Sequence, residues 1–261
     1  MLLLLKDFLC ETAGDPYYER MRFLRDLGWR SPHDTYLAQK FRAAGFVFLG
    51  KTNLPELAAS PITNPVGFGP TRNPFDTVCT AGGSSGGSAA TVASGMVAVA
   101  HGNDGTGSIR IPAGCCGLVG LKPSRGRISL GPARSGGFLG NVRKHVLTRS
   151  VQDAAAVLDV VAGAMPGYLF VAPPPSKPYH EELGRIPGKL RIGLLTHDPL
   201  LEGLKAVQPD ILAIHPECVA AVEGTGRLLE SFGHIGGHPC ERNRGGSGCL
   251  VHTHGPDDRP G

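Results

Sequence analysis

An α/β fold is what the 261 residues predict. Two observations lead there. Apolar runs of strand length, at 2–5, 46–49, 117–121 and 190–195, alternate with stretches whose apolar residues recur at helical spacing. Between them lies a glycine- and serine-rich centre. Glycine makes up 38 residues and clusters at 82–87, 102–107, 114–126 and 131–140. No G-x-y period runs through it, which excludes a collagen-like chain. Such clustering points to backbone amides that approach another group closely.

The elements follow in chain order. Residues 2–5 are four leucines and read as a buried strand running into Lys6. Residues 7–30 are mixed and loop-rich. Ser31-Pro32-His33-Asp34 reads as a capping box with proline at the first helical position. Tyr36, Leu37, Phe41 and Ala44 then lie at helical spacing, and Gly45 ends that helix. A short strand is expected at 46–49 and an extended loop at 60–83. Residues 88–100 are small and apolar on all sides, which predicts a helix buried in the interior. A core strand is expected at 117–121. Ser150 and Asp153 form a second capping box, ahead of the stripe Ala154, Val157, Leu158 and Val161. Six prolines make 165–189 a surface excursion. A strand at 190–195 and a helix from Pro216 to Gly233 follow. From 235 to 261 periodicity is lost and chain breakers abound, so this stretch reads as a disordered or foreign tail.

Composition narrows the function. The chain is 41% hydrophobic and 18% charged, enough for a sizeable core. Its formal charge of +4 is scattered and only 6% of residues are aromatic, which argues against nucleic acid or a polybasic membrane surface as partner. No apolar run approaches the ~18 residues of a membrane span. Lys6 and Asp7 follow the leucines at once, unlike a signal peptide. Seven cysteines at irregular spacing, Cys115 and Cys116 adjacent, fit a reducing cytoplasm better than a disulfide framework. Composition fixes no oligomeric state.

Three motifs compete. GFVFLGKT at 45–52 matches G-x-x-x-x-G-K-[ST]. A phosphate cradle needs a flexible loop, whereas Phe, Val, Phe and Leu here should enter a sheet, so a strand-to-turn reading is preferred. Cys240, Cys249, His252 and His254 have no standard zinc spacing, and no core to fix ligand geometry. GSSGG at 83–87 matches G-x-S-x-G with Ser85 as nucleophile. That elbow needs a preceding core strand and a supported histidine, and His145 and His180 show no such context.

The run from Ser60 to Pro132 is more specific. GKTNLPELAASPIT at 50–63, GPTRNP at 69–74 and AGGSSGGSAATVASGMVAVAHGNDGTGSIRIPAGCCGLVGLKPSRGR at 81–127 resemble the amidase signature family, as does LLLLKD at 2–7. The resemblance covers about residues 1–234, which it makes a partial amidase signature domain followed by the 235–261 tail. It implies a mixed, partly parallel sheet between helices, incomplete because the family's chains are roughly twice as long and this one is expected to be truncated at both ends. It also implies a Ser–cis-Ser–Lys triad: Ser108 as nucleophile, Ser84 as bridging serine after a cis bond from Gly83, and Lys6 as base. Lys51 in GKTN sits at the wrong motif and reads as structural. The glycines around Ser108 suggest oxyanion amides at Gly105, Thr106 and Gly107. Thr106 stands where the family usually has glycine, and would be strained if φ there were positive. Asp104 and Arg110 are taken as scaffold.

The chemistry also stands on the residues. A serine hydroxyl is a weak nucleophile that needs a base. Lysine serves only when neutral, and burial beside 2–5 favours the neutral form. A second serine both accepts and donates a proton. The activity that the resemblance implies is hydrolysis of a linear carboxylic amide, a small molecule, through an acyl-enzyme, with no metal or cofactor. Two alternatives stay open: a catalytically inactive amidase fragment, and a serine esterase of another fold using Ser85. Without the long match, Ser84 and Ser108 read equally as an ordinary Gly/Ser loop capping a helix.

Overall fold

A computed structural model describes residues 1–137, 140–196 and 214–239. The chain groups into two compact units, Met1–Leu183 and Gly184–Gly261, a division the sequence does not mark. In the first unit the elements run β1 (Leu2–Lys6), α1 (Arg22–Asp26), α2 (Tyr36–Ala43), β2 (Val47–Thr52), α3 (Gly86–Ala93), β3 (Val99–Asp104), α4 (Arg110–Cys115), β4 (Val119–Gly120), β5 (Arg143–Thr148) and α5 (Val151–Val161). The five strands form one sheet in the order β2-β1-β3-β5-β4. β1 is parallel to both β2 and β3, whereas β5 is antiparallel to β3 and β4. The sheet is therefore mixed, as expected.

Alternation along the strands loads both faces. Leu3 and Leu5, with Val99 and Val146, pack against Leu37 and Phe41 of α2 and Val157, Leu158 and Val161 of α5. Leu147, on the opposite face, packs with Ala89 of α3, Ala113 of α4 and Ile109. Phe41 is fully buried and meets Phe46 edge-on at 5.2 Å. Phe41→Ala is expected to cost about 3–5 kcal/mol through lost burial and the cavity left behind, read as a lower urea midpoint.

Several elements differ from the expectation. The buried stretch at 88–100 is not one helix. α3 ends at Ala93, Gly95 takes φ +81°, and Val99–Asp104 becomes the wholly buried central strand β3. Periodicity cannot separate a buried helix from a buried strand when every residue is small and apolar. Ser31 does not cap α2: its hydroxyl donates to Glu11, and the helix starts at Tyr36. Ser150 does cap α5, accepting from the Asp153 N–H at 3.0 Å. β5 and α4 were not expected; charged residues at 143–144 and Pro112 conceal them. β2 runs through Lys51, whose Nζ donates to Cys10 O and Thr12 Oγ1, so GKT is strand and scaffold.

In the second unit, β6 (Arg191–Leu194) and β7 (Ile235–Pro239) pair in parallel, with α6 (Pro216–Ser231) packed on both. The parallel pair shows that Ile235–Pro239 has regular structure, against the expectation of none from 235 on. Gly236 and Gly237 mask the strand, since glycine carries little strand signal. The rest of that stretch, 240–261, with the cysteine and histidine set at 240–254, lies outside the described residues. Among the described residues, no helix is long and apolar enough to cross a membrane.

Candidate active site

Parallel strands β1, β2 and β3 end together, and the candidate site lies at their carboxyl ends, where α/β sheets commonly bind ligands. Lys6 is the last residue of β1. Two flanking parallel strands bury it completely. Its Nζ lies 2.7 Å from Ser84 Oγ, 3.1 Å from Ser85 Oγ and 2.8 Å from Asn103 Oδ1. Burial drives the Lys6 pKa well below its usual 10.5, and the carboxylate of Asp104 opposes this only in part.

Ser84 and Ser85 enter from the loop ahead of α3, and the Gly83–Ser84 peptide bond is cis. Glycine is required at the start of that helix: a Cβ on Gly87 would sit 2.4 Å from the Asn53 backbone nitrogen. Ser85 is wholly buried, and its hydroxyl donates to Asn103 O at 3.3 Å.

Ser108 lies in the turn from β3 to α4. Its carbonyl accepts from the Ser85 N–H at 3.1 Å, tying the two serine loops together. Asp104 holds the turn. Its buried carboxylate accepts from the N–H groups of Gly107 (2.8 Å), Ile109 (3.2 Å) and Arg110 (3.3 Å), from the Arg110 guanidinium, and pairs with Lys122 Nζ at 3.3 Å. Burial opposes ionisation of Asp104, yet Arg110, Ile109 N–H and Lys122 together hold its pKa down at about 2. The scaffold reading of Asp104 and Arg110 fits these contacts.

A cavity of about 630 Å³ opens over the site. Ser84, Asn103, Gly105, Thr106 and Ser108 give its lining polar groups, and Phe8, Leu57, Ile111, Leu130 and Val142 give it apolar surface. Three of the non-glycine residues with positive φ line it as well: Leu9 (62°), Leu57 (55°) and Ala58 (57°). Backbone of this kind costs ~1–3 kcal/mol per residue and gathers at functional sites. No feature of the sequence marks those three.

The structure thus brings Lys6 and Ser84 into contact and sets Ser84 and Ser108 on one cavity wall. Other expectations change. No hydrogen bond joins the Ser84 and Ser108 hydroxyls. The Gly107 N–H is committed to Asp104 and is not part of the cavity wall, so it cannot serve an oxyanion in this conformation. Thr106 does not adopt positive φ and carries none of the strain anticipated there. Ser85 is bonded to Lys6 and Asn103 and has no histidine partner, contrary to an elbow nucleophile. No strand signal marks 99–104 in the sequence, where 102–107 stands out only as part of the glycine-rich centre, so Asn103 escapes the sequence reading. Its place next to Asp104 in GND gains meaning only on a strand. Among the described residues, no group of three or more His, Cys, Asp or Glu is placed to hold a metal ion.

Comparison with known proteins places the chain in a family. The amidase family model matches residues 21–235, and the chain belongs to the amidase family. It is 46% identical over 233 residues to 6-aminohexanoate-cyclic-dimer hydrolase of Paenarthrobacter ureafaciens, a stretch that covers 88% of this chain and 45% of that protein. The solved structure of 6-aminohexanoate cyclic dimer hydrolase complexed with substrate superposes with a TM-score of 0.84 at 44% identity, covering 91% of this chain and 48% of that one. A bacterial aryl acylamidase of the amidase signature enzymes gives a TM-score of 0.78 at 29% identity, with 90% and 46% covered. The chain spans about half the length of the curated relatives it matches.

Proposed function

We propose that this protein hydrolyses a carboxylic amide to acid and amine through an acyl-enzyme on Ser108. The observation that carries the reading is the fully buried Lys6 bonded to Ser84 on the wall of a cavity that Ser108 also lines. Ser108 Oγ attacks the amide carbon as its proton passes to Ser84 Oγ and the Ser84 proton passes to Lys6 Nζ. The tetrahedral oxyanion forms against the Gly105 and Thr106 side of the cavity. Lys6 then returns a proton through Ser84 to the amine nitrogen, the C–N bond breaks, and the acyl group stays on Ser108. Water attacks the ester by the same proton route and frees the acid. The Ser84–Ser108 contact tightens when substrate binds, as catalytic hydrogen bonds in unliganded enzymes commonly do.

The mainly apolar cavity suits a small, uncharged amide, and linear C–N bonds are the first substrates to test. The relative named for a cyclic dimer makes a ring amide the second. The five described cysteines, Cys10, Cys79, Cys115, Cys116 and Cys218, are all free, which supports a cytoplasmic setting. The test is turnover of an anilide with release of free aniline. Measurable release that Ser85→Ala retains and Ser108→Ala abolishes supports the reading. No release from linear or cyclic amides would leave the inactive-fragment reading in its place.

A further inference from the structure

Lys6 Nζ has three neighbours, and the hydrogens of two of them are already assigned. Asn103 Nδ2 donates to Phe8 O at 2.8 Å, so its Oδ1 faces Lys6. The reverse amide orientation would set oxygen against carbonyl and N–H against amine. The Ser85 hydroxyl donates to Asn103 O at 3.3 Å, so its oxygen also faces Lys6 as an acceptor. Ser84 Oγ, 2.7 Å from Nζ, has no other hydrogen-bond partner among the described residues. A neutral amine has two N–H bonds and one lone pair. We propose that Ser85 and Asn103 are positioning residues that engage both N–H bonds of neutral Lys6 and thereby aim its lone pair at the Ser84 hydroxyl.

The arrangement serves both protonation states. When Ser84 passes its proton to Lys6, the ammonium has three N–H bonds and three acceptors, so no buried group is left unpaired at either stage. Ser84 Oγ, its own hydrogen directed to Lys6, keeps a lone pair for the Ser108 proton. Direction is thus imposed on the relay by two residues that make no hydrogen bond to Ser108 Oγ. The charged or titratable groups on the surrounding strands are Lys51 of β2, His101 and Asp104 of β3, and Arg143, Lys144 and His145 of β5. Asp104 favours the ammonium, while His101 and Lys6 disfavour each other's charge. None of these groups hydrogen-bonds Nζ.

This inference rests on Lys6 being the base, and the test separates the two. Isotope-labelled lysine reports the Lys6 amine titration by NMR, with or without turnover. Ser85→Ala removes an acceptor that the ammonium needs more than the amine, so the midpoint should fall by about one pH unit. Asn103→Asp places a carboxylate there and should raise it by at least about as much. The pH limb of fluorophosphonate labelling should move with each midpoint, in opposite directions. Unmoved midpoints, or two midpoints that move the same way, would overturn the proposal. If the buried carboxylate prevents folding, Ser85→Ala alone decides it by a downward shift or none. Midpoints that move as expected while no serine is labelled would keep the hydrogen-bond assignment and remove the hydrolase reading.

Discussion

Ser108→Ala is expected to lower kcat by at least ~10⁴-fold and leave the fold intact. The side chain sits on the cavity wall and makes no hydrogen bond that the core depends on. The loop around it is held by its own carbonyl and by Asp104, which the substitution leaves in place. An unchanged melting transition should therefore accompany the loss. Substrate binding should weaken little, because the apolar lining of the cavity is untouched. A variant that lost activity only by unfolding would not bear on the nucleophile.

Lys6→Met should lose ~10²–10⁴-fold, the usual contribution of a positioned general base. Methionine keeps the volume of a side chain that is fully buried, so it tests the amine rather than the packing. The pH dependence follows from the sign of the shift. Burial lowers the Lys6 pKa, and the neutral amine is the active form. In the intact protein kcat/KM should rise with pH through that lowered pKa and then level off. Falling pH protonates the base and activity drops. Lys6→Met should abolish that limb. The double variant with Ser108→Ala should be hardly worse than Ser108→Ala alone, because the residues act as one unit.

The candidate Lys6, Ser84 and Ser108 were legible through the long resemblance at 2–7 and 81–127, because the residues alone read equally as a Gly/Ser loop capping a helix. The fold was legible where local rules dominate: the leucine strand, the Ser150 cap, the helix from Pro216. It was illegible where tertiary context decides. SAATVASGMVAVA splits into helix, turn and central strand because Gly95 reverses the chain, and small apolar residues suit either state. Asn103 and the second bond of Ser85 were hidden because nothing in the sequence marks a strand at 99–104, and only a strand brings Asn103 beside Lys6. The Gly107 amide was misassigned because a glycine in sequence does not say which way its N–H points.

Reaction with a fluorophosphonate, followed by mapping of the modified serine, tests the account most directly. The reagent reports a serine whose hydroxyl is both activated and open to the cavity. Ser108 should carry the adduct, with labelling lost in Lys6→Met and retained in Ser85→Ala. An adduct on Ser85, or labelling of Ser108 that is indifferent to Lys6, would contradict it.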